Sequence, residues 1–343
     1  MKTSKDAYKE ALSELTERRE DIIAEKDISI AIGLALEGKT PFVTTCSALG
    51  KNWDAIREAC HNNTNIKIID IEDDKEDIGL LRTQPNIIII TPADYHEAKK
   101  AILAAGTIKG PVYIRLAKEK AYATTQKTPF TTGRMEIMRA GKDCTIIASG
   151  PALYDALDAA EKLSKQEIEC TVLNCHTIQP IDKHAIISSA KLTGCMVTIE
   201  ERIPGGLGSA TAEVLAQNSP IPLKTTKNEG PASIISAVKE KVLQKIETVC
   251  TEMPEEHGRK LQTELQPELY FRIHGGGIIK SIPGLHKALL NMNNETFSYH
   301  CNQHKNDFSS WVKDVFKEPA LAKNLEKTHT RIGMALALAR WML

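Results

Sequence analysis

Short apolar runs that alternate with helical segments constrain this chain more than any other feature of its sequence. In the first half, a predicted strand begins at Phe42 and others cover 66–71, 87–91 and 112–116, with predicted helices between them. In the second half, predicted strands cover 144–148, 170–173, 196–200 and 221–224, again separated by helices. Strands that alternate with helices in this way are typical of parallel sheets covered on both faces. The sequence therefore predicts the α/β class, with two doubly wound, mainly parallel sheets.

Two polar stretches divide the chain. Residues 120–132 show no periodicity and suit a linker, and residues 251–268 form a charged connector. We therefore predict a first α/β domain over residues 1–122, a second over 133–250, a linker over 251–268 and a small, mostly helical module over 269–343.

The small module has its own aromatic residues, so we expect it to fold separately and to mediate binding. They are Phe297, Tyr299, Phe308, Trp311 and Phe316. Asn302, Asn306 and Asp307 lie just before the Trp311 helix and are expected to cap or brace it.

Charge and cysteine content narrow the classes of function. The 343 residues include 44 basic and 44 acidic residues, so no net field attracts nucleic acid or an anionic membrane. The 8 cysteines form no CxxC pair and mostly lie in apolar surroundings, which is typical of reduced thiols in a cytoplasmic protein. No stretch reaches the length of a membrane span. We expect a cytoplasmic protein without a nucleic-acid or membrane partner.

The stretch from 23 to 43 places an acid at the start of an apolar segment. Apolar residues recur at helical spacing over 28–36, and Gly38 ends the run before a strand. We predict one helix that opens on Glu25. A carboxylate in the first turn stabilises a helix through its dipole, which is the structural explanation of this acid.

Eight short motifs, in this order, resemble the C-terminal half of a transketolase. They read IAE, GLALEGKTPF, WDAIREA, PADYHEAKKAI, GPVYIRL, GKDCTIIASG, HTIQPID and GGLGSATAEVLA. The resemblance covers residues 1–250 and implies a pyrimidine-binding domain followed by a transketolase C-terminal domain. Residues 270–343 lie outside it and resemble a small uncharacterised domain for which no activity is implied.

The resemblance implies three residues of an active site. Glu25 would be the catalytic and cofactor-binding acid, because in transketolases the acid of this motif contacts the aminopyrimidine ring of thiamine diphosphate; we expect it to be buried. Leu49 would contact the same ring, although CSALGKNW offers no aromatic face where transketolases have aromatic residues. Lys118 would contact substrate phosphate in place of the family's arginine, without the bidentate geometry of a guanidinium. No metal ligand is expected within this chain.

Two parts of a transketolase site are missing from the sequence. The segment DIEDDK stands where the family has a long loop with a GEDG signature and a histidine that faces cofactor and substrate. The GDG motif that binds the diphosphate and its metal has no counterpart either. We therefore predict that thiamine diphosphate, with magnesium, is held jointly with an N-terminal transketolase-like subunit, in a homodimer or heterotetramer.

These observations leave two functions open. The first is the C-terminal subunit or remnant of a thiamine diphosphate-dependent transketolase, which transfers a two-carbon ketol unit between sugar phosphates. The alternative is a catalytically inactive paralogue that serves as an assembly or regulatory binding protein. The missing histidine loop favours the alternative, whereas Glu25 favours the enzyme.

Three further patterns have structural explanations beside functional ones. The turn GGLGSA at 205–210 resembles a nucleotide-binding turn, but tight packing between a strand and a helix is the simpler explanation. His176 is expected to cap a turn rather than to catalyse. His300, Cys301 and His304 have a spacing that suits a metal on one helical face, or else they belong to a packed aromatic cluster.

Overall fold

A computed structural model of the chain describes residues 2–45, 50, 52–71, 77–117, 122, 124–201, 205–251 and 265–342. Two compact units make up the fold. The first comprises Met1–Ala160 and Cys170–Val238, and the second comprises Glu161–Glu169 and Lys239–Leu343. The chain passes between them inside the helix Ala152–Ser164, again after Glu169, and last inside the long helix Pro231–Thr251, not in the charged connector. The four-part division into domains stays a prediction.

The first unit alternates strands and helices along the chain. In its first part these are α1 (Ser4–Arg18), β1 (Ile22–Glu25), α2 (Ile28–Leu36), β2 (Thr40–Thr45), α3 (Trp53–His61), β3 (Lys67–Asp70), α4 (Asp77–Leu81), β4 (Ile88–Ile90), α5 (Tyr95–Ala105) and β5 (Val112–Arg115). In its second part they are β6 (Glu136–Arg139), β7 (Cys144–Ala148), α6 (Ala152–Ser164), β8 (Cys170–Asn174), β9 (Thr177–Gln179), α7 (Lys183–Thr193), β10 (Met196–Glu200), α8 (Leu207–Asn218), β11 (Leu223–Lys227) and α9 (Pro231–Thr251). The end of α6 from Glu161 and the part of α9 from Lys239 belong to the second unit.

Two mainly parallel sheets result, as the sequence predicts. The first has the order β1-β2-β3-β5-β4-β9, in which only β9 is antiparallel to its neighbour. The second has the order β11-β10-β7-β8-β6, in which only β6 is antiparallel. The α/β fold class is confirmed.

Helices cover both faces of the first sheet because successive strand residues point to opposite sides. One face packs against α2 and α3, and the other packs against α1 and α5. The strand residues on the first face include Val43, Ile68, Ile89 and Tyr113, and those on the second include Phe42, Ile69, Ile90 and Ile114. Burial on both sides explains why these strands read as continuous apolar runs.

The segment around Glu25 differs from the single helix that the sequence predicts. Residues 22–25 form β1 and pair in parallel with β2, so that Glu25 ends a strand. The helix begins later, at Ile28, because Asp27 is its N-cap and accepts hydrogen bonds from the next N–H groups at 2.8 and 3.1 Å. The prediction of a helix opening on Glu25 is therefore wrong, whereas the turn at Gly38, with φ of 82°, is confirmed.

The second unit is mostly helical, as predicted. Beyond α9 it contains a short 3-10 turn (Pro267–Leu269), the hairpin strands β12 (Phe271–Arg272) and β13 (Ile278–Ile279), and the helices α10 (Ile282–Asn291), α11 (Asn294–His300), α12 (Asp307–Val315), α13 (Pro319–Glu326) and α14 (Arg331–Met342). Asn306 caps α12 through a hydrogen bond from the Ser309 N–H at 3.0 Å, which confirms its expected role. Among the described residues, no helix is long and apolar enough to cross a membrane.

Candidate functional site

The carboxyl ends of the parallel strands in the first sheet bring together the polar side chains of the candidate site. Glu25 ends β1, Asp70 ends β3 and Arg115 ends β5. Open α/β sheets bind ligands outside this edge, where the connections that follow the strands leave a crevice. Asp70 and Arg115 are register partners on adjacent strands. Glu25 lies two strands away from β3, a spacing of roughly 10 Å.

Glu25 is half-buried, and the turn into α2 holds its carboxylate. Its Oε1 accepts hydrogen bonds from the N–H groups of Lys26 at 2.7 Å and Asp27 at 3.2 Å. Its Oε2 has no hydrogen-bond partner in the part of the chain that the structure describes. The acid is thus less buried than expected, but one oxygen fixes the side chain while the other can accept a hydrogen bond from a ligand.

A buried polar cluster at the same edge was missed by the sequence analysis. Asp70 is fully buried, and its Oδ2 accepts a hydrogen bond from the Tyr113 hydroxyl at 2.7 Å. The Arg115 guanidinium lies 3.7 Å from the carboxylate of Glu201, the residue that follows β10 in the second sheet. The signal in the sequence was the position of these charged residues directly at the ends of apolar strands.

The two other predicted site residues lie outside the described residues. These are Leu49 and Lys118. Residues 72–76, which contain most of the DIEDDK segment, also lie outside the described residues. Their roles in ring contact and phosphate binding stay predictions.

The glycine turn at 205–210 packs around a buried carboxylate. Glu200 accepts hydrogen bonds from the N–H groups of Leu207 at 2.8 Å and Gly208 at 2.9 Å, at the start of α8. Burial raises the pKa of the Glu200 carboxyl, although these two donors act in the opposite direction. A Cβ atom on Gly206 would overlap the same carboxylate. The chain's own side chain therefore occupies the helix N-terminus that would otherwise suit a phosphate, and tight packing explains this motif.

His176 is a buried structural residue. Its Nδ1 lies 2.8 Å from the Thr177 hydroxyl oxygen, and its ring stacks on Phe130 with 4.3 Å between the ring centroids. Burial lowers its pKa to about 4, so the imidazole is neutral near pH 7. These contacts support the structural explanation over a catalytic one.

His300 belongs to an aromatic cluster of the second unit. Its Nδ1 lies 3.0 Å from Asp307 Oδ2, and its Nε2 accepts a hydrogen bond from the His274 N–H at 2.9 Å. Its ring packs against Phe271 and Phe308. Because both ring nitrogens are engaged, these contacts favour the aromatic-cluster explanation. Over the described ranges, no group of three or more histidine, cysteine, aspartate or glutamate residues is placed to hold a metal ion.

Comparisons with known proteins agree with the fold and with the motifs. A family model described as the transketolase C-terminal domain matches residues 133–248. The chain is 35% identical over 219 residues to a 6-deoxy-6-sulfo-D-fructose transketolase subunit of a Clostridium species, a match that covers 57% of this chain and 66% of that protein. It is 34% identical over 223 residues to one subunit of the apulose-4-phosphate transketolase of Actinobacillus succinogenes, covering 59% of this chain and 71% of the relative.

A solved structure is also similar to this chain. It is described as a split-gene transketolase in an inactive β4 tetramer, and it superimposes with a TM-score of 0.68 at 30% sequence identity. The match covers 71% of this chain and 99% of that one. The chain spans only about two thirds of the length of the Clostridium and Actinobacillus relatives, at 66% and 71%.

Proposed function

Because this chain belongs to the transketolase family, we propose that it is the C-terminal subunit of a split transketolase and works with a separate N-terminal subunit. Two of its relatives are named as transketolase subunits, and the similar solved structure is described as coming from a split gene. The reaction would be transfer of a two-carbon ketol unit between sugar phosphates.

The geometry of Glu25 carries this proposal. When bound, thiamine diphosphate supplies a nucleophilic carbon for ketol transfer. The residues present fit the pyrimidine end of that cofactor, because Glu25 stands at the ligand-binding edge of the sheet with Oε2 available and Oε1 fixed by its own turn. Its carboxyl group would give a proton to a ring nitrogen, and the resulting carboxylate would accept the hydrogen bond from that N–H and favour the reactive tautomer. Leu49 would contact the ring, and Lys118 would bind the substrate phosphate as a point charge.

The diphosphate end of the cofactor needs a second polypeptide. The sequence contains no GDG motif for the diphosphate and magnesium. The helix α2, which follows Glu25, exposes Ile30 at 55% and Leu36 at 76% of their surface. An apolar helix surface of this kind suits an interface with another chain, so the N-terminal subunit or a second copy would cover α2 and complete the site. The proposed assembly is a homodimer or a heterotetramer.

A catalytically inactive paralogue that acts in assembly or regulation remains the second candidate function. One observation favours it: the DIEDDK segment replaces the loop that carries the family's histidine. The two candidates differ in whether any partner restores ketol transfer.

The experiment is reconstitution with an N-terminal subunit that contains the GDG motif. Calorimetry with thiamine diphosphate and magnesium should show no tight binding by this chain alone and tight binding by the complex. In the complex, Glu25→Gln should lower the rate of ketol transfer at least about 100-fold, because a neutral amide has no acidic proton to give to the ring nitrogen and cannot favour the reactive tautomer. The control is Glu58→Gln, which removes the same charge from an exposed position on α3, away from the proposed interface.

Two results would contradict the proposal. A near-normal rate in the Glu25→Gln complex would show that this acid is structural. A stable complex that binds no cofactor and transfers no ketol unit would establish the inactive paralogue instead.

A further inference from the structure

The second unit contains a cavity of about 530 Å³ whose walls come from four separate segments. They are the first part of α9 within this unit, the helix α11, the start of α14 and the turn that precedes β8. A volume of this size lies within the range of small-molecule sites in proteins, roughly 300–1,000 Å³. Much of its lining lies beyond residue 248, where the match to the transketolase C-terminal domain ends.

The charged groups that line this cavity are cationic. Lys239 on α9 and Arg331 at the start of α14 both contribute to the wall, and no aspartate or glutamate does. Within the described ranges, neither cation forms an ion pair with a carboxylate. A cavity with this lining favours an anion over a cation.

The protein provides hydrogen-bond acceptors for only some of the N–H groups of Arg331. Its Nη1 donates hydrogen bonds to the carbonyl oxygens of Leu289 at 2.8 Å and Leu290 at 2.7 Å, at the end of α10. Its Nε is buried and has no acceptor among the described residues. Buried donors in folded proteins nearly always have a partner, so this guanidinium has hydrogen-bonding capacity left for a ligand or for a water that a ligand holds.

The carboxylate of Glu167 does not neutralise the cavity. Glu167 follows the lining residue Gln166, but both of its oxygens are used at the start of α14. They accept hydrogen bonds from the His329 N–H at 2.6 Å, the Thr330 N–H at 3.1 Å and the Thr330 hydroxyl at 2.8 Å. These bonds hold the segment that carries Arg331 in place.

The remaining wall is partly apolar. Leu243, Phe297 and Ile332 line the cavity together with the small hydroxyl of Ser298. A ligand that filled this space would therefore place an apolar body against these side chains and an anionic group near the two cations.

We propose that this cavity is a binding site for a small organic anion in which a phosphate or carboxylate group is attached to an apolar body. None of its lining residues belongs to the candidate transketolase site, and the cavity gives the C-terminal unit a ligand of its own. Lys239 is the residue that recognises the anion, and Arg331 both supports the end of α10 and faces the ligand.

The test is a calorimetric titration of the full chain with phenyl phosphate, phenylacetate and inorganic phosphate. At least one of the two aromatic anions should bind at a single site at least about tenfold more tightly than inorganic phosphate, because only the aromatic probes contact the apolar wall. Comparison of phenyl phosphate with phenylacetate identifies which anionic group the site takes.

Variants locate the binding in the cavity. Lys239→Gln should weaken binding of the aromatic anion at least about tenfold, whereas Lys287→Gln, which removes an exposed lysine of α10 outside the lining, should leave it unchanged. Ser298→Phe fills the cavity and should abolish binding. Within the described residues the Lys239 side chain makes no hydrogen bond, so replacing it should not destabilise the fold. Equal midpoints of thermal unfolding in the two lysine variants check this.

Two outcomes would overturn the proposal. One is the absence of saturable binding of both aromatic anions up to about 10 mM. The other is equal affinity in Lys239→Gln and Lys287→Gln, which would place the anion elsewhere. Glu25→Gln should bind the probe normally, so this result is independent of the transketolase proposal.

Discussion

Glu97, a buried acid on α5, should make the stability of this protein depend on pH. Its side chain is 1% exposed. One oxygen accepts a hydrogen bond from the Ala93 N–H and the other from the Asn174 amide, each at 2.7 Å. Burial raises the pKa of Glu97 from 4.5 to about 7, against the opposing effect of these two donors. The nearby charges of Asp94 and Lys100 act in opposite directions and are smaller influences.

The direction of the effect follows from proton binding. Between about pH 4.5 and 7 the folded chain keeps the Glu97 proton, while the unfolded chain has lost it. The contribution to stability is therefore fully present below about pH 4.5 and is lost as the pH rises through 7. At about 1.4 kcal/mol per pH unit, the free energy of unfolding should fall by ~3 kcal/mol across this range.

Glu97→Gln should remove this pH dependence. A glutamine stays neutral at every pH in this range. The Asn174 Oδ1 has no partner among the described residues, and if the Asn174 side-chain amide rotates by 180°, this oxygen can accept a hydrogen bond from the glutamine amide. Urea unfolding of both proteins between pH 5 and 8 measures the difference. The control is Glu58→Gln, an exposed acid of α3. A difference between wild type and Glu97→Gln that stays constant with pH would refute the reasoning.

Two further substitutions test the packing of the first unit by urea unfolding. Gly206→Ala should lower the free energy of unfolding by ~2–3 kcal/mol, because the new Cβ displaces the Glu200 carboxylate from its N–H donors. Its control is Gly33→Ala, which has nothing near its Cβ and should be neutral or slightly stabilising. Equal effects of the two substitutions would show that the turn at Gly206 can relax. The second substitution, Lys67→Met, should lower the free energy of unfolding by about 2–3 kcal/mol. The fully buried ammonium of Lys67 donates to three oxygen acceptors, which would lose their partner. Exposed Lys9→Met is its control, and a Lys67→Met protein as stable as that control would contradict the expectation.

Local patterns were sufficient for the fold class, because a strand buried on both faces must be apolar along its length. The runs at β3, β4, β5 and β7 are therefore visible in the sequence and were predicted. The same argument failed at residues 22–25, where a short apolar run fits a helix and a strand equally well. These residues form a strand because they pair with β2. The local signal that would have placed the start of the helix after them was the capping residue Asp27.

The candidate site was only partly accessible from the sequence. Glu25 was found through its resemblance to a family motif. The approach of Arg115 to Glu201 was not, because it joins the ends of strands in two different sheets. Even with both sheets predicted, local periodicity contains no information on which strand ends meet.

The sequence by itself determined the family, the alternation of strands and helices, and the absence of a GDG motif, since each of these depends on residues that are close along the chain. Tertiary structure alone decided the roles of the buried charges. Asn174 and Glu97 are 77 positions apart in the sequence, yet they share a buried hydrogen bond. Glu200 fills a helix N-terminus that, as a motif, resembles a phosphate site. A buried charge is stable only where donors from distant segments converge on it, and that convergence exists only in the folded chain.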